Sequence, residues 1–501
     1  MMSAVPVGAT PTKTDVQVIV QAEADRVAEV RQRVEALGGS VITELPIIDG
    51  FSATIGSDVV ELLEAADGVR HITPDTRIEL ASAAGSASGV PMSVLTGRVL
   101  DVDAVWRRGI TGEGVGVALI DSGVTPVGGL DADGKILNGP DLSFDGEFDN
   151  LRHLDMYGHG THLAGIIAGS DPAMPARPTD RWLRSNFAGI APGAHIVNVK
   201  VADATGTADV SQVIAGIQWV IEHKDDGPAD IRVLTLAFGT DSTQDYRIDP
   251  LAHAAESAWH AGIVVVVAAG NDGRRSPLRD PANDPFVIAV GATDPRGTAR
   301  LSDDRVMDFS NCGTSQRPVD ILAPGRSVSS LRVAGSFIDD QFPDAADGDR
   351  FFRGTGTSQA AAVAAGAVAL MLDNRPDMTP DQVKAALLRT AGDVRSAPGH
   401  CADAGALDLH RAVAARPRAA TQDWDRSDGS GSIEASRGSY HVYRDGEPLT
   451  GEVDVSGGTW SGGTWSGGTW SGGTWSGGTW SGGTWSGGTW SGGTWSVAGW
   501  S

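Results

Sequence analysis

Positive charge, cysteine and long apolar runs are all scarce in this chain. Lysine and arginine number 39 against 63 aspartates and glutamates, for a formal charge of −24. Nucleic acid and anionic membranes are recognised by clustered basic side chains, so this balance argues against both as partners. No run of about 18 apolar residues occurs, the length that a membrane-crossing helix needs. The nearest candidate, "GIVVVVAAG" at 262–270, has the length of a buried strand. The opening "MMSAVPVGATPTKTDVQVIV" lacks the basic and apolar regions of a secretory signal. A secreted or cell-surface location, the expectation here, then requires a start further upstream or another export route; residence inside the cell is the alternative. Two cysteines, Cys312 and Cys401, allow at most one disulfide, and two buried thiols fit equally well.

What is present divides the 501 residues into segments of different character. Residues 1–14 read as a disordered lead-in. Residues 15–80 alternate strand and helix patterns in the order β-α-β-β-α-β, a ferredoxin-like arrangement. Val27, Val30, Val34 and Leu37 mark one face of its first helix, and Ser57 is a candidate cap for the second. Residues 81–92, including "ASAAGSASG", are small and polar, as in a linker or cleavage region. From 93 to 416, apolar runs such as "VGVALI", "HIVNVKV" and "IVVVVAAG" alternate with helical patterns. That predicts an α/β domain with a mostly parallel sheet covered by helices on both faces. "TSQAAAVAAGAVALMLDNRP" is apolar almost all round and predicts a central buried helix. Residues 417–455 read as a linker containing a hairpin that turns at Asp445 and Gly446.

The chain then repeats SGGTW eight times between 456 and 495, and nine of its 14 tryptophans lie in this tail. Its Gly and Ser content predicts a disordered appendage. In a flat strand the odd period would turn successive tryptophans to opposite faces; in a five-residue solenoid they would stack. Tryptophan rings suit stacking on sugars or on one another, so the tail's candidate partners are a cell wall, a glycan or its own kind.

Four short segments carry chemistry. "VALIDSGV" places Asp121 at the end of an apolar strand, and "YGHGTHLAGIIAG" places His159 at the start of a helix. "GTGTSQAAAVAAG" places Ser358 at the mouth of the buried helix, and "VAAGNDG" places Asn271 after a buried strand. Strand carboxyl ends and helix N-termini line the functional crevice of an open parallel sheet. A serine hydroxyl needs a base, imidazole is the base suited to neutral pH, and a carboxylate fixes the imidazole tautomer. Backbone N–H groups at Ser358 and the Asn271 amide could serve a developing oxyanion. Gly356 would let backbone approach a substrate. His162, three residues after His159, lacks a third metal ligand and reads as core.

With "DSG", "HGTHLAG", "AAGN" and "GTSQAAA" in that order, the chain resembles the subtilisin-like serine peptidases over about 100–415. The resemblance implies a subtilisin-like α/β fold and endopeptidase activity through an acyl-enzyme. Asp121, His159 and Ser358 would be the triad, with Asn271 at the oxyanion. Substrate would lie as an extended strand between 236–239, with Ala237, Phe238 and Gly239, and 204–208, with Gly206, Thr207 and Ala208. Ala237 stands where the family usually has serine. Gly206 and Ala208 suggest room for sizeable apolar groups. No metal or cofactor is assigned: "SDPAMPARPTDRWLRSN" replaces the stretch where many relatives place a calcium loop, so no calcium ligand set can be named. The acidic "FIDDQFPDAADGDR" reads as a solvated loop, with a cation site as the alternative. The N-terminal unit resembles the propeptides of such zymogens, which occupy the cleft through their last strand, here "HITPDTRIEL"; autoprocessing would cut at roughly 80–85. The rival reading is a surface-binding or scaffold protein that acts through its tryptophan repeats, with the peptidase domain serving self-maturation.

Overall fold

The computed structural model describes residues 15–23, 26–45, 50–56, 59–64, 66–74, 89–171, 175, 182, 185–228, 230–394, 397, 399–439, 441–444 and 447–455. Within the repeats it describes 460–461, 464–471, 474–481 and 484–485. Two compact units result, one of residues 1–80 with 442–449 and one of 81–441 with 450–501.

In the first unit four antiparallel strands form a sheet in the order Ser40–Leu45, Gly50–Gly56, Asp15–Ala22, Val69–Pro74. Two helices, Val27–Ala36 and Val60–Glu64, complete the β-α-β-β-α-β order. Val30 and Val34 are buried with Val20, Phe51, Ile55 and Leu63, so the 3.6-residue apolar stripe of the first helix meets the alternating face of the sheet. The Ser57 cap and the expected strand beyond Pro74 lie outside the described residues.

The second unit is built on a nine-stranded sheet. Its main path runs Gly405–Ala406, Ile321–Pro324, Ile288–Asp294, Val264–Ala268, Asp230–Leu236, Val115–Asp121, His195–Lys200, Ile136–Asp141. Every pair along that path is parallel, and Arg305–Val306 adds an antiparallel edge to Ile288–Asp294. Val115–Asp121 and Val264–Ala268 are buried at every residue, as continuous apolar runs require when both faces are covered. The helix Thr357–Asn374 is buried from Thr357 through Leu372. Its small residues permit close approach: a Cβ on Gly366 would stand 2.6 Å from Ile190 Cβ. The helix Pro380–Thr390 opens with the Thr379 and Gln382 capping box and Pro380 in its first turn.

Three segments differ from the sequence reading. Residues 90–91, placed in the linker, pair with Val328–Leu331, and Met92 is buried; a two-residue strand is too short to show a period. The acidic run after Ser336 is largely exposed, as expected, but it is not simply a loop. It holds the helix Phe337–Gln341, and Asp339 is buried against Arg332 at 2.5 and 2.9 Å. Residues 417–455 are more than a linker: Ile433, Ser436, Arg437 and Asp454 are all buried. Tyr443–Arg444 and Glu447–Pro448 do pair as a hairpin, whose turn at Asp445 and Gly446 lies outside the described residues.

The repeats contain four antiparallel strands in chain order, Trp460–Ser461, Thr464–Ser471, Thr474–Ser481 and Thr484–Trp485. Two copies of an odd period make an even one, so strand starts recur ten residues apart, at Thr464, Thr474 and Thr484. The register sets Trp460 opposite Trp465, Trp470 opposite Trp475 and Trp480 opposite Trp485.

Cys312 and Cys401 are both buried and form a disulfide across 89 residues of chain. Cross-links over long loops restrict the unfolded chain most. Replacing both cysteines by alanine is expected to lower unfolding free energy by about 2–4 kcal/mol, read by denaturant titration.

Candidate active site

Three of the four sequence-predicted polar residues stand at the ends of elements that the core holds rigid. Asp121 closes the strand Val115–Asp121 and is 4% exposed. Its carboxylate accepts from Ser122 N at 2.8 Å, and Ser122 Oγ lies 3.1 Å from it. His159 opens the helix His159–Ala168, and its Nδ1 lies 2.9 and 3.0 Å from the two Asp121 oxygens. That contact assigns the Nδ1 proton to the Asp121 side and leaves Nε2 as the acceptor in the neutral ring. The two chain segments touch directly: a Cβ on Gly160 would stand 2.2 Å from Gly123 O. Only glycine permits that approach.

Asp155, which the sequence reading missed, lies beneath this pair with no exposed surface. It accepts from Gly158 N at 2.6 Å, Thr161 N at 2.7 Å and Ser122 Oγ at 2.8 Å. Gly160 N in turn donates to Ser122 Oγ at 3.1 Å. Asp155 and Ser122 therefore satisfy N–H groups at the start of the helix that carries His159. Burial pulls the His159 imidazole down, but the Asp121 and Asp155 carboxylates outweigh it and hold the ring above its ordinary value.

Ser358 is the second residue of the buried helix and is 7% exposed. Its hydroxyl donates to Ala237 O at 2.8 Å, so no Ser358–His159 hydrogen bond forms in this conformation. Asn271 sits beside it. Thr357 N and Thr357 Oγ1 donate to Asn271 Oδ1 at 3.0 and 3.1 Å, and Gly270 N donates to Thr357 Oγ1 at 3.2 Å. With its oxygen held by the residue before Ser358, the Asn271 amide group is turned so that Nδ2 is the end left to donate. A Cβ on Gly356 would lie 3.7 Å from that nitrogen.

The two segments expected to hold a substrate are placed differently. Ala237 is joined to Ser358 through its carbonyl, and Gly239 closely approaches Asp280 O, 2.7 Å from where a Cβ would stand. In the other segment Thr205 N, Thr205 Oγ1 and Thr207 N all donate to Asp203 Oδ1. Ala208 packs against the core. Gly206 has φ +80°, and a Cβ there would meet the Tyr157 ring at 2.6 Å. The missing side chain thus accommodates Tyr157, which stacks on Phe337 at 5.6 Å, where the sequence suggested room for a substrate group. His162 is a core residue, set edge-on to Phe352 at 6.4 Å, and burial pushes its ring down to about 3. Among the described residues no group of three His, Cys, Asp or Glu is arranged to hold a metal ion.

A model described as "Subtilase family" matches residues 112–431, and one described as "Putative peptidase inhibitor domain" matches 6–75. The serine protease AprX of Bacillus subtilis (strain 168) is 36% identical over 319 residues, covering 62% of this chain and 69% of that protein. Subtilisin E of the same strain is 29% identical over 372 residues, covering 73% and 81%. In structure the chain is similar to fervidolysin from Fervidobacterium pennivorans, with TM-score 0.50, 23% identity and coverage of 82% and 63%. The chain belongs to the subtilase family of serine endopeptidases and carries an inhibitor-type propeptide domain at its N-terminal end.

Two outcomes follow from this geometry. His159, followed by NMR, should titrate above 6.5, and Asp155→Asn should bring that value down because it removes one of the two carboxylates that raise it. Gly160→Ala should lower thermal stability sharply, because the new Cβ would overlap Gly123 O.

Proposed function

We propose that Asp121, His159 and Ser358 hydrolyse peptide bonds as a triad, with Asn271 and the Ser358 backbone N–H holding the oxyanion. The observation that supports this most directly is the two-oxygen contact of Asp121 with His159 Nδ1, which leaves Nε2 as the base. Catalysis requires the Ser358 hydroxyl to turn from Ala237 O to Nε2. Oγ then attacks the substrate carbonyl carbon while its proton moves to Nε2. Asp121 stabilises the imidazolium. As the tetrahedral intermediate collapses, the C–N bond breaks and Nε2 returns the proton to the leaving amine. Water repeats the sequence on the acyl-enzyme and frees Ser358.

The chain is made as a zymogen in this reading. Its N-terminal domain assists the slow folding of a long-range parallel sheet and occupies the cleft until cleavage at roughly 80–85. Secretion fits the Cys312–Cys401 disulfide, since such bonds persist in oxidising surroundings. The repeat strands present tryptophan positions opposite one another, which suits attachment to a wall polymer, a glycan or a second copy. Peptide substrates and the chain's own propeptide are its partners at the cleft.

Fluorophosphonate should label the wild-type chain and not Ser358→Ala; equal labelling would sink the triad. Mass spectrometry should find a new N-terminus near 80–85 that Ser358→Ala abolishes. Asn271→Ala should lower kcat by about 10²–10³, or roughly 2.7–4 kcal/mol of transition-state stabilisation. kcat/KM should rise with pH through a limb above 6.5, because the base must be neutral and His159 is held above its ordinary value. Removing 456–501 should spare hydrolysis and abolish attachment; loss of hydrolysis instead would favour a tail that acts on the enzyme itself.

A further inference from the structure

The segment between the peptidase domain and the repeats contains a fully buried cation that the proposed mechanism does not use. Arg437, at the end of the helix Ile433–Arg437, has no exposed surface. Its Nε donates to Asp209 Oδ2 at 2.6 Å and its Nη2 to Asp209 Oδ1 at 3.3 Å. Nη1 donates to Glu434 Oε2 at 3.0 Å and to Gly451 O at 2.8 Å, and Nη2 reaches Val453 O. A buried guanidinium is tolerated only when its donors find acceptors in this way. Asp209 is 2% exposed and caps the helix Val210–Glu222, with its own N–H held by Gln212. It directly follows 204–208, one of the two segments read as holding the substrate.

The neighbouring residues grip the other segment. Thr240, next after Gly239, donates through Oγ1 to Ser436 O at 2.5 Å, while its backbone exchanges two bonds with Asp280. Ser436 Oγ donates to Asp249 Oδ1 at 2.9 Å, and Gln244 bonds to Ser432 in both directions. Gly438 has φ +64° and lies so close to Asp241 that a Cβ would stand 2.2 Å from Oδ1. Val455, the last residue before the repeats, donates to Ser211 Oγ at 2.9 Å. The subtilase match ends at 431, so the residues that make these bonds lie beyond it.

We infer that residues 432–439 and 450–455 are a strap that fixes both substrate-binding segments, with Arg437 as its positioning residue. This rests on the reading of 204–208 and 236–239 as substrate segments. A substrate that lies along both segments needs them held at one spacing; a small ester that reaches only Ser358 does not. Loss of the strap should therefore act on extended substrates alone.

The test uses the full chain and two variants. Arg437→Met removes the charge and leaves the buried Asp209 without its cation. Arg437→Lys keeps the charge but cannot form the two-pronged contact. The probes are a succinylated tetrapeptide p-nitroanilide, p-nitrophenyl acetate and fluorophosphonate. The expected result is at least a tenfold drop in kcat/KM for the tetrapeptide, carried mainly by KM. Acetate hydrolysis and Ser358 labelling should stay within twofold of wild type. Tetrapeptide kinetics within twofold of wild type in a folded variant would overturn the inference. So would a parallel fall in all three readouts, which marks general damage. If circular dichroism shows that Arg437→Met does not fold, Arg437→Lys and Thr240→Val, which loses the bond to Ser436 O, decide by the same criteria. Absence of Ser358-dependent labelling in the wild-type chain would overturn the triad reading first, and is seen before any strap variant is made.

Discussion

From Thr357 to Leu372 the helix that begins beside Ser358 has no face in water. A helix can be buried on all sides only if its side chains are small or apolar and its neighbours close around it, which the run of alanines and Gly366 allows. That packing fixes where the helix begins. It therefore fixes Ser358 and, through Thr357, the direction of the Asn271 amide. The parallel sheet beneath does the same for Asp121, which ends a strand buried at every residue. Asp121, His159 and Ser358 are thus held at the ends of buried elements.

Charge is placed with the same economy. Asp121 and Asp155 are both buried, and Ser122 Oγ stands within hydrogen-bond distance of each. Asp155 accepts three hydrogen bonds, two of them from backbone at the start of the His159 helix. The histidine thus sits in a negative field that favours its protonated form. A domain with a net charge of the same sign gains nothing from these carboxylates unless each is tied to donors, and the hydrogen bonds show that they are.

Arg437 and the residues that hold it extend this logic beyond the subtilase match. A buried arginine commits the chain to one docking geometry, since its donors must all be satisfied. Val455 is held at the start of the helix Val210–Glu222.

Much of this was legible in the sequence because the signals are local. The β-α-β-β-α-β order, the apolar strands, the Thr379 cap and the all-round apolar helix each follow from residues close in sequence. So do the four motifs that carry Asp121, His159, Asn271 and Ser358. The pairing of Cys312 with Cys401 was left open, because a sequence allows a bond without requiring it. Asp155 carries no period and no motif of its own; only the turn that brings it under Ser122 reveals it. Gly206 looked like space for a substrate, and the fold fills that space with Tyr157. Arg437 lies in a segment read only as a linker with a hairpin, yet it reaches an aspartate more than 200 residues earlier in the chain. By itself, then, the sequence determined the elements and the chemistry they could carry, since propensity and periodicity act over a few residues. Which distant groups share a hydrogen bond, a cavity or a buried charge was decided only by the tertiary structure, because desolvation and close packing act on what is near in space.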